Sequence, residues 1–305
     1  MARIHVAGNS VLDVIVQGRA PAGPVVDGWG ANVNVLTEPV VAALGGCGAA
    51  SAYVLGRLGH SVTLSTNIGD DAFGSLIQSW LHAAGVVLRP PADPSVASAT
   101  HLIYVLGSNR QSSYWQGNRV DWKAGFAADA PEWFVATGYG AVVAEDVQQL
   151  IPVCARLRVA DTRVLFDPSP WFADRVSVAE MLALWTEIDV LTGTQDELSH
   201  WLPGIDDALA LARAVVDHGP WLAVVKCGPE GAVWATDEEA GVARAQAVRG
   251  SSVGAGDCFN ARLIDGLARG EVPGAAVAAA VRMASDLVRE GRGVLGVLPP
   301  EGGGR

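Results

Sequence analysis

At 305 residues, half of them hydrophobic, the chain is long enough to bury a sizeable core, as one large α/β domain or two smaller ones. Only 17% of residues are charged, which argues against long disordered tails. The net charge of −11 argues against nucleic acid or anionic membrane as a partner, because both repel an acidic surface. A local basic pocket for phosphate stays compatible with that balance. The four cysteines, Cys47, Cys154, Cys227 and Cys258, form no C-x-x-C pair, which excludes a zinc ribbon or a thioredoxin-like site. Reduced thiols in a cytoplasm fit them best. The opening Met-Ala-Arg-Ile-His-Val-Ala-Gly lacks a signal layout. No apolar run reaches the roughly 20 residues of a membrane span.

Ile4–Ala7 predicts the first strand. Residues 10–40 follow, rich in Gly, Pro, Val and Asn and without a helical period. Gly48–Leu58 predicts a helix, Val62–Ser65 a strand and Ala72–Ala84 a second helix. Leu102–Leu106 predicts a strand inside 100–122, a stretch of β-formers around a Gly-Ser-Asn-Arg turn. Beyond it, strands are expected at Ala141–Val143, Val164–Phe166, Val190–Leu191 and Leu222–Val225, with helices at Val147–Ala155 and Ile205–His218. Strands alternating with helices imply βαβ units and a mostly parallel sheet. Segments 10–40 and 100–122 break that rhythm and suit a small accessory sheet. Val164–Phe166 runs into Asp167-Pro168, a strand stop, and loops at such carboxyl ends carry the ligand site of open α/β sheets. Residues 298–305 read as a flexible tail.

Several motifs fail on context. No G-x-x-x-x-G-K-[ST] occurs, which excludes a P-loop, and there is no H-E-x-x-H. Gly291–Gly296 spells G-x-G-x-x-G, but only nine residues follow it, too few for a dinucleotide fold, so it reads as a loop. Gly250–Gly254 matches the G-x-S-x-G of serine hydrolases, a fold that places its histidine after the serine. All six histidines precede Ser252, so that reading fails on chain order.

Gly254-Ala255-Gly256-Asp257 is followed by a segment, Cys258 to Leu267, with the apolar spacing of a helix. Glycines at a helix start let backbone N–H groups converge on an anion, and the helix dipole adds to the attraction. A carboxylate there makes sense if it takes a proton from a nucleophile attacking a bound phosphate. Taken alone, Asp257 also reads as an ordinary helix cap.

Gly254-Ala255-Gly256-Asp257-Cys258-Phe259 resembles the C-terminal signature of the ribokinase-like (PfkB) carbohydrate kinases. Gly45-Gly46-Cys47-Gly48-Ala49-Ala50-Ser51-Ala52 resembles the family's G-G-x-x-x-N-x-A. Val54–Gly59 and Ile68-Gly69-Asp70-Asp71-Ala72-Phe73-Gly74 resemble its L-G followed by G-D-D-x-x-G. Gly8-Asn9-Ser10-Val11-Leu12-Asp13 resembles its opening G-x-x-x-x-D, Asp167-Pro168 its D-P, and Lys226-Cys227-Gly228-Pro229-Glu230-Gly231 its nucleotide loop. The matches run in family order from residue 8 to residue 257.

The resemblance implies a single ribokinase-like domain over 1–305: a three-layer αβα core with a mostly parallel central sheet, and a small β-sheet lid from approximately 10–40 and 100–122. It implies transfer of the ATP γ-phosphate to a hydroxyl of a sugar or nucleoside, with Mg2+. Asp257 would be the base, and the Gly254, Ala255 and Gly256 backbone the anion hole. Asp13 would accept hydrogen bonds from substrate hydroxyls, with Gly45 and Gly46 allowing close approach and Asn34 and Arg110 contributing from the lid. Lys226, Gly228, Gly231 and Thr194 would serve the nucleotide, and Glu197 would act on the metal indirectly, through water. Bland roles stay open beside these: a turn residue for Asp13, a helix-entry turn for Gly45 and Gly46, a solvated strand end for Lys226, an exposed helix position for Glu197. The lid's Trp29, Asn32, Asn109, Tyr114 and Trp115 suit either sugar recognition or packing, including a homodimer through the lid.

Three positions depart from the pattern. Thr194 replaces an asparagine in N-x-x-E. Ser251-Ser252 replaces Asp-Thr, removing a carboxylate that relatives use for a monovalent cation, which argues against potassium activation. Ala50 replaces a sugar-contacting asparagine, so ribose is not assumed as the acceptor. The same losses leave a nucleoside kinase, or a non-catalytic ligand-binding relative, as alternatives.

Overall fold

The computed structural model describes residues 1–18, 35–89, 91, 93–106, 109–122, 130–138, 143–168, 175–248, 250 and 252–297. The chain opens with β1 (Arg3–Ala7), β2 (Val11–Gln17) and β3 (Val41–Gly45), then α1 (Cys47–Arg57), β4 (Ser61–Ser65), α2 (Ala72–Ala83) and β5 (Val87–Arg89). Next come β6 (Ala99–Leu106), β7 (Asn109–Trp115), β8 (Trp133–Thr137), α3 (Ala144–Val159) and β9 (Arg163–Asp167). The second half adds α4 (Val178–Trp185), β10 (Val190–Thr194), α5 (Gln195–Ser199), α6 (Ala208–Val216) and β11 (Leu222–Lys226). A β12–β13 hairpin (Gly231–Ala235, Ala240–Arg244) leads to α7 (Ala255–Ala268) and α8 (Pro273–Glu290).

Nine strands form one sheet in the order β13-β12-β11-β10-β9-β8-β1-β4-β5. From β11 to β5 every pairing is parallel, and only the two pairings of β12, with β11 and with β13, are antiparallel. The short apolar strands are buried on both faces, as a helix-covered parallel sheet requires. Alternate residues serve opposite layers: Ile4 and Val6 of β1 join Leu55, Ile77, Ile264 and Val277 of α1, α2, α7 and α8. Ala7 joins Leu150, Trp185 and Leu211 of α3, α4 and α6. The result is the expected three-layer arrangement. The chain moves outward from β1 to β4 and β5, then returns to β8 on the other side of β1. That reversal opens a crevice beyond the carboxyl ends of the central strands.

A second sheet of four strands, β3-β2-β6-β7, takes β2 from the first segment that broke the βαβ rhythm and nearly all of β6 and β7 from the second, while β3 lies just beyond residue 40. Residues 19–34, with Trp29, Asn32 and Asn34, lie outside the described residues, as does the tail 298–305. Two expectations need correction. The strand expected at Ala141–Val143 is instead Trp133–Thr137. Val143 is the extended residue before α3, its N–H donating to the Asp146 carboxylate at 2.8 Å, while Ala141 and Val142 lie outside the described residues. The helix expected from Ile205 begins at Ala208, because the Asp207 carboxylate caps it by accepting the Ala210 N–H at 2.7 Å.

One buried polar knot ties the start of the chain to its end. Ala2 N–H donates to His60 Nδ1 at 3.1 Å, so the other ring nitrogen carries the proton and donates to Asp265 Oδ1 at 2.9 Å. Arg269 and Arg262 approach the same carboxylate at 2.5 and 3.4 Å. Burial works against ionisation of Asp265, but His60 and the two arginines hold it below its ordinary value. Removing a buried member of such a group strands the others without a partner. We therefore expect Asp265→Ala to lower stability by about 3 kcal/mol in urea unfolding, with an unchanged m-value. A loss below about 1 kcal/mol would reduce the knot to a surface-type ion pair.

Candidate active site

The carboxyl ends of β9, β10 and β11 lie side by side, and β1 follows one strand further on, beyond β8; each of the four delivers a polar group to one crevice: Asn9 after β1, Asp167, Thr194 with Glu197, and Lys226. The small sheet adds Asp13, His101, Arg110 and Tyr114, and the N-terminus of α7 adds Gly254, Ala255, Gly256 and Asp257. These groups line a cavity of about 440 Å³. A second cavity, of about 380 Å³, adjoins it and shares Lys226, Gly228, Ser252, Ala255 and Gly256. Its remaining wall is largely apolar, with Val248, Phe259, Val281 and Val288.

At one end of the larger cavity Asp13 sits in the middle of β2, only 5% exposed, between Ala43 of β3 and His101 of β6. Gly45 lies under it: a Cβ there would collide with the Asp13 carboxylate. Gly46 has φ +83°, and a Cβ on it would stand 2.5 Å from the Asn9 carbonyl oxygen. Both glycines are thus required by geometry, one by space and one by backbone conformation. His101 Nδ1 lies 3.3 Å from Asp13 Oδ1 and meets the Tyr114 ring edge-on, with centroids 5.6 Å apart. Tyr114 in turn accepts a hydrogen bond from Asn9 Nδ2 at 3.4 Å. Arg110 lines the same cavity from β7.

At the other end Gly254 caps α7 in the left-handed region, φ +80°, and the first turn of the helix borders the cavity, with the Ala255 N–H donating to the Ser252 carbonyl at 3.1 Å. Asp257 lies in that turn. Its carboxyl is pushed up to about 6 by burial and by the nearby charges of Asp167 and Asp13, against a hydrogen bond from the Cys47 thiol and the attraction of Lys226. Burial, reinforced by the Asp257 and Asp167 charges, raises the Cys47 thiol well above its ordinary value.

Lys226 Nζ pairs with Asp167 Oδ2 at 2.7 Å. Burial opposes its charge, but Asp167 and Glu197 outweigh that and hold the amine above the usual lysine value. Asn260 of α7 donates a short hydrogen bond to the same Asp167 oxygen and accepts one from Thr192 Oγ1 at 3.0 Å. An imagined Cβ on Gly256 would lie 4.0 Å from Lys226 Nζ, so the ammonium stands beside the amide loop.

Thr194 and Glu197 hold each other in a capping box at the start of α5: Thr194 N–H donates to Glu197 Oε2 at 2.7 Å, and Glu197 N–H to Thr194 Oγ1 at 3.3 Å. The hydroxyl that replaced the asparagine amide is therefore engaged in starting the helix. Burial and Asp167 raise the Glu197 carboxyl, against Lys226. Among the described residues no group of three or more His, Cys, Asp or Glu side chains is placed to hold a metal. Glu197 has one oxygen committed to Thr194, which fits contact with Mg2+ through water better than direct ligation.

Each predicted site residue within the described region borders one of the two cavities except Gly45, which supports Asp13 from below. Gly228 and Gly231, with φ +57° and +106°, shape the turn between β11 and β12, and a Cβ on Gly231 would strike the Ala243 carbonyl oxygen. Asn34 lies outside the described residues. Sequence reasoning missed His101, Cys47 and Asn260. His101 meets Asp13 only through the parallel register of β2 with β6, a pairing no local pattern reveals. Cys47 stood inside the glycine motif as an unassigned position.

The model of the pfkB family of carbohydrate kinases matches residues 19–296. A fructokinase of Rhizobium leguminosarum bv. trifolii is 29% identical over 234 residues, 71% of this chain and 69% of that protein. Among solved structures, a Thermotoga maritima ribokinase superposes with a TM-score of 0.77 at 18% identity, covering 95% of this chain and 93% of that one. An Arabidopsis thaliana ribokinase complexed with ribose and ATP gives 0.74 at 17% identity, covering 96% and 95%.

The lifted Asp257 carboxyl has a thermodynamic signature. The folded chain holds this proton up to about pH 6, whereas an ordinary aspartate releases it near 3.8. Between those values the folded state binds more protons than the unfolded one, so this group's contribution to stability falls as pH rises. We expect Asp257→Asn to raise Tm at pH 8, and the gap to the parent to narrow as pH falls through about 6 toward 4, read by calorimetry.

Proposed function

The chain belongs to the pfkB family of carbohydrate kinases, and from that premise we propose that it moves the γ-phosphate of ATP to a hydroxyl of a sugar or sugar-like small molecule, with Asp257 as base. The observation that carries this reading is the placement of Asp257 and Asp13 in one cavity, with the start of a helix and an ammonium beside the first.

The acceptor binds against Asp13, whose carboxylate accepts from its hydroxyls, with Asn9, His101, Tyr114 and Arg110 bordering the remainder. ATP lies across the two cavities, its base against Val248, Phe259, Val281 and Val288, its γ-phosphate at the amides of Gly254, Ala255 and Gly256. Asp257 takes the proton of the reacting hydroxyl. As the acceptor oxygen bonds to phosphorus, the bond from phosphorus to the bridging oxygen breaks, and ADP leaves with that electron pair. The amides and Lys226 stabilise the charge on the transferring group. Mg2+ bound with the nucleotide supplies further charge neutralisation, and Glu197 would hold it through water. The lid role of the small sheet accords with its contribution of one wall of the acceptor pocket. Its exposed Val41, Leu102 and Trp115 support reading that sheet as a surface where two subunits pair.

The test is ADP release by the purified protein with ATP and Mg2+ across a panel of sugars, sugar derivatives and nucleosides. Turnover with at least one sugar is expected, a preference for nucleosides would move the acceptor class, and no turnover on any of them would overturn the reading. Asp257→Asn should lower kcat by about 10²–10⁴-fold while calorimetric ATP affinity stays within about threefold.

A further inference from the structure

Four polar side chains form an unbroken line from the buried centre of the chain to the wall of the site. Thr192 of β10 and Asn260 of α7 are fully buried and border neither cavity. Asp167, at the end of β9, borders the larger cavity, and Lys226, at the end of β11, borders both. Thr192 Oγ1 donates to Asn260 Oδ1 at 3.0 Å. Asn260 Nδ2 donates a short hydrogen bond to Asp167 Oδ2, and Lys226 Nζ donates to the same oxygen at 2.7 Å. Asn260 also lies one turn after Asp257 in α7, the helix that Gly254 caps beside the cavity. We propose that Asn260 is a positioning residue for phosphoryl transfer, holding the Asp167 carboxylate, and through it the Lys226 ammonium, in register with the start of its own helix. The proposal rests on the kinase reading above.

An amide suits this task. It carries one donor end and one acceptor end, and Thr192 takes the acceptor, so the donor is left facing Asp167. Being neutral, it fixes the carboxylate without competing with Lys226 as a second cation. An arginine in its place would form an ion pair of its own with Asp167. Among the described residues Asp167 is the only carboxylate paired with Lys226. Glu197 acts on the ammonium from α5, but one of its oxygens is committed to the Thr194 N–H. The line therefore has one route to the ammonium, through Asp167. Where it ends sets it apart from a network that serves folding alone. Lys226 Nζ is the atom nearest to an imagined Cβ on Gly256, at 4.0 Å, so a displaced ammonium is felt at the start of α7.

The experiment is a double-mutant cycle between Asn260→Ala and Lys226→Met, with ATP, Mg2+ and the best acceptor from the panel. Asn260→Ala should lower kcat about tenfold with acceptor KM nearly unchanged, and should cost less than about twofold once residue 226 is already changed. A full loss in both backgrounds would overturn the proposal, because Asn260 would then act without Lys226. Calorimetry without acceptor is a second arm that needs only the one substitution. With the ammonium beside the γ-phosphate, Asn260→Ala should weaken ATP about fivefold and leave ADP within about twofold. Equal weakening of the two nucleotides, or of neither, would overturn the proposal, and this arm decides if Lys226→Met does not fold. If the parent phosphorylates nothing, the kinase reading fails on its own. The Tm values of the same four proteins still decide whether the two side chains are coupled: single losses that simply add in the double variant would overturn the contact.

Discussion

Asp257 occupies the first turn of a helix, where the helix dipole favours negative charge, yet burial and two neighbouring carboxylates lift its proton affinity to about pH 6. The two influences can be directed at different partners. The start of the helix attracts an anion through its dipole, while a raised carboxyl attracts a proton. A first-turn carboxylate of the ordinary kind would be stabilised where it stands; this one is held in a costly place. Burial and the Asp167 and Asp13 charges push the group up, and only the Cys47 thiol and Lys226 relieve it.

That arrangement relies on a brace behind it. Lys226 is pinned by Asp167, Asp167 by Asn260, and Asn260 by Thr192, so the ends of β9, β10 and β11 are fastened to the same helix that carries Asp257. Each member satisfies a neighbour whose burial would otherwise be unfavourable. Sidedness also matters. The brace is built from the large sheet, whereas Asp13, His101 and Tyr114 come from the small one. The two sheets meet in the site chiefly through the Gly8 to Ser10 turn and the start of α1, where glycines let backbones pass close together: a Cβ on Gly8 would strike Thr137 and stand 2.8 Å from Gly48 Cα.

Much of this was legible in the residues alone. Short apolar runs with amphipathic segments between them indicated the parallel sheet, and the ordered glycine motifs marked both ends of the site. What was hidden was pairing across distance. The strand at Trp133–Thr137 sits next to β1 only because the topology reverses there, and a nearby run of similar character at Ala141–Val143 competed for the assignment. His101 carries no local mark; its value comes from lying opposite Asp13 in a parallel register. The Thr194 departure looked like a loss from the sequence and turned out to have local employment as a helix cap. Which Glu197 oxygen is engaged also depends on that cap, a fact no spacing rule contains.

The knot of Ala2, His60 and Asp265, together with the central place of β1, bears on how the molecule is made. A strand translated among the first seven residues must wait for a neighbour that begins at Trp133, and its polar clamp must wait for Asp265. At ribosomal speeds of about 5–20 residues per second, the nascent chain spends several seconds with its innermost strand covered on one edge only. During synthesis Asp13 and the small sheet therefore emerge well before Asp257. A prematurely released fragment would carry an open β-edge and half a pocket, a species for chaperones and proteases rather than a slower enzyme.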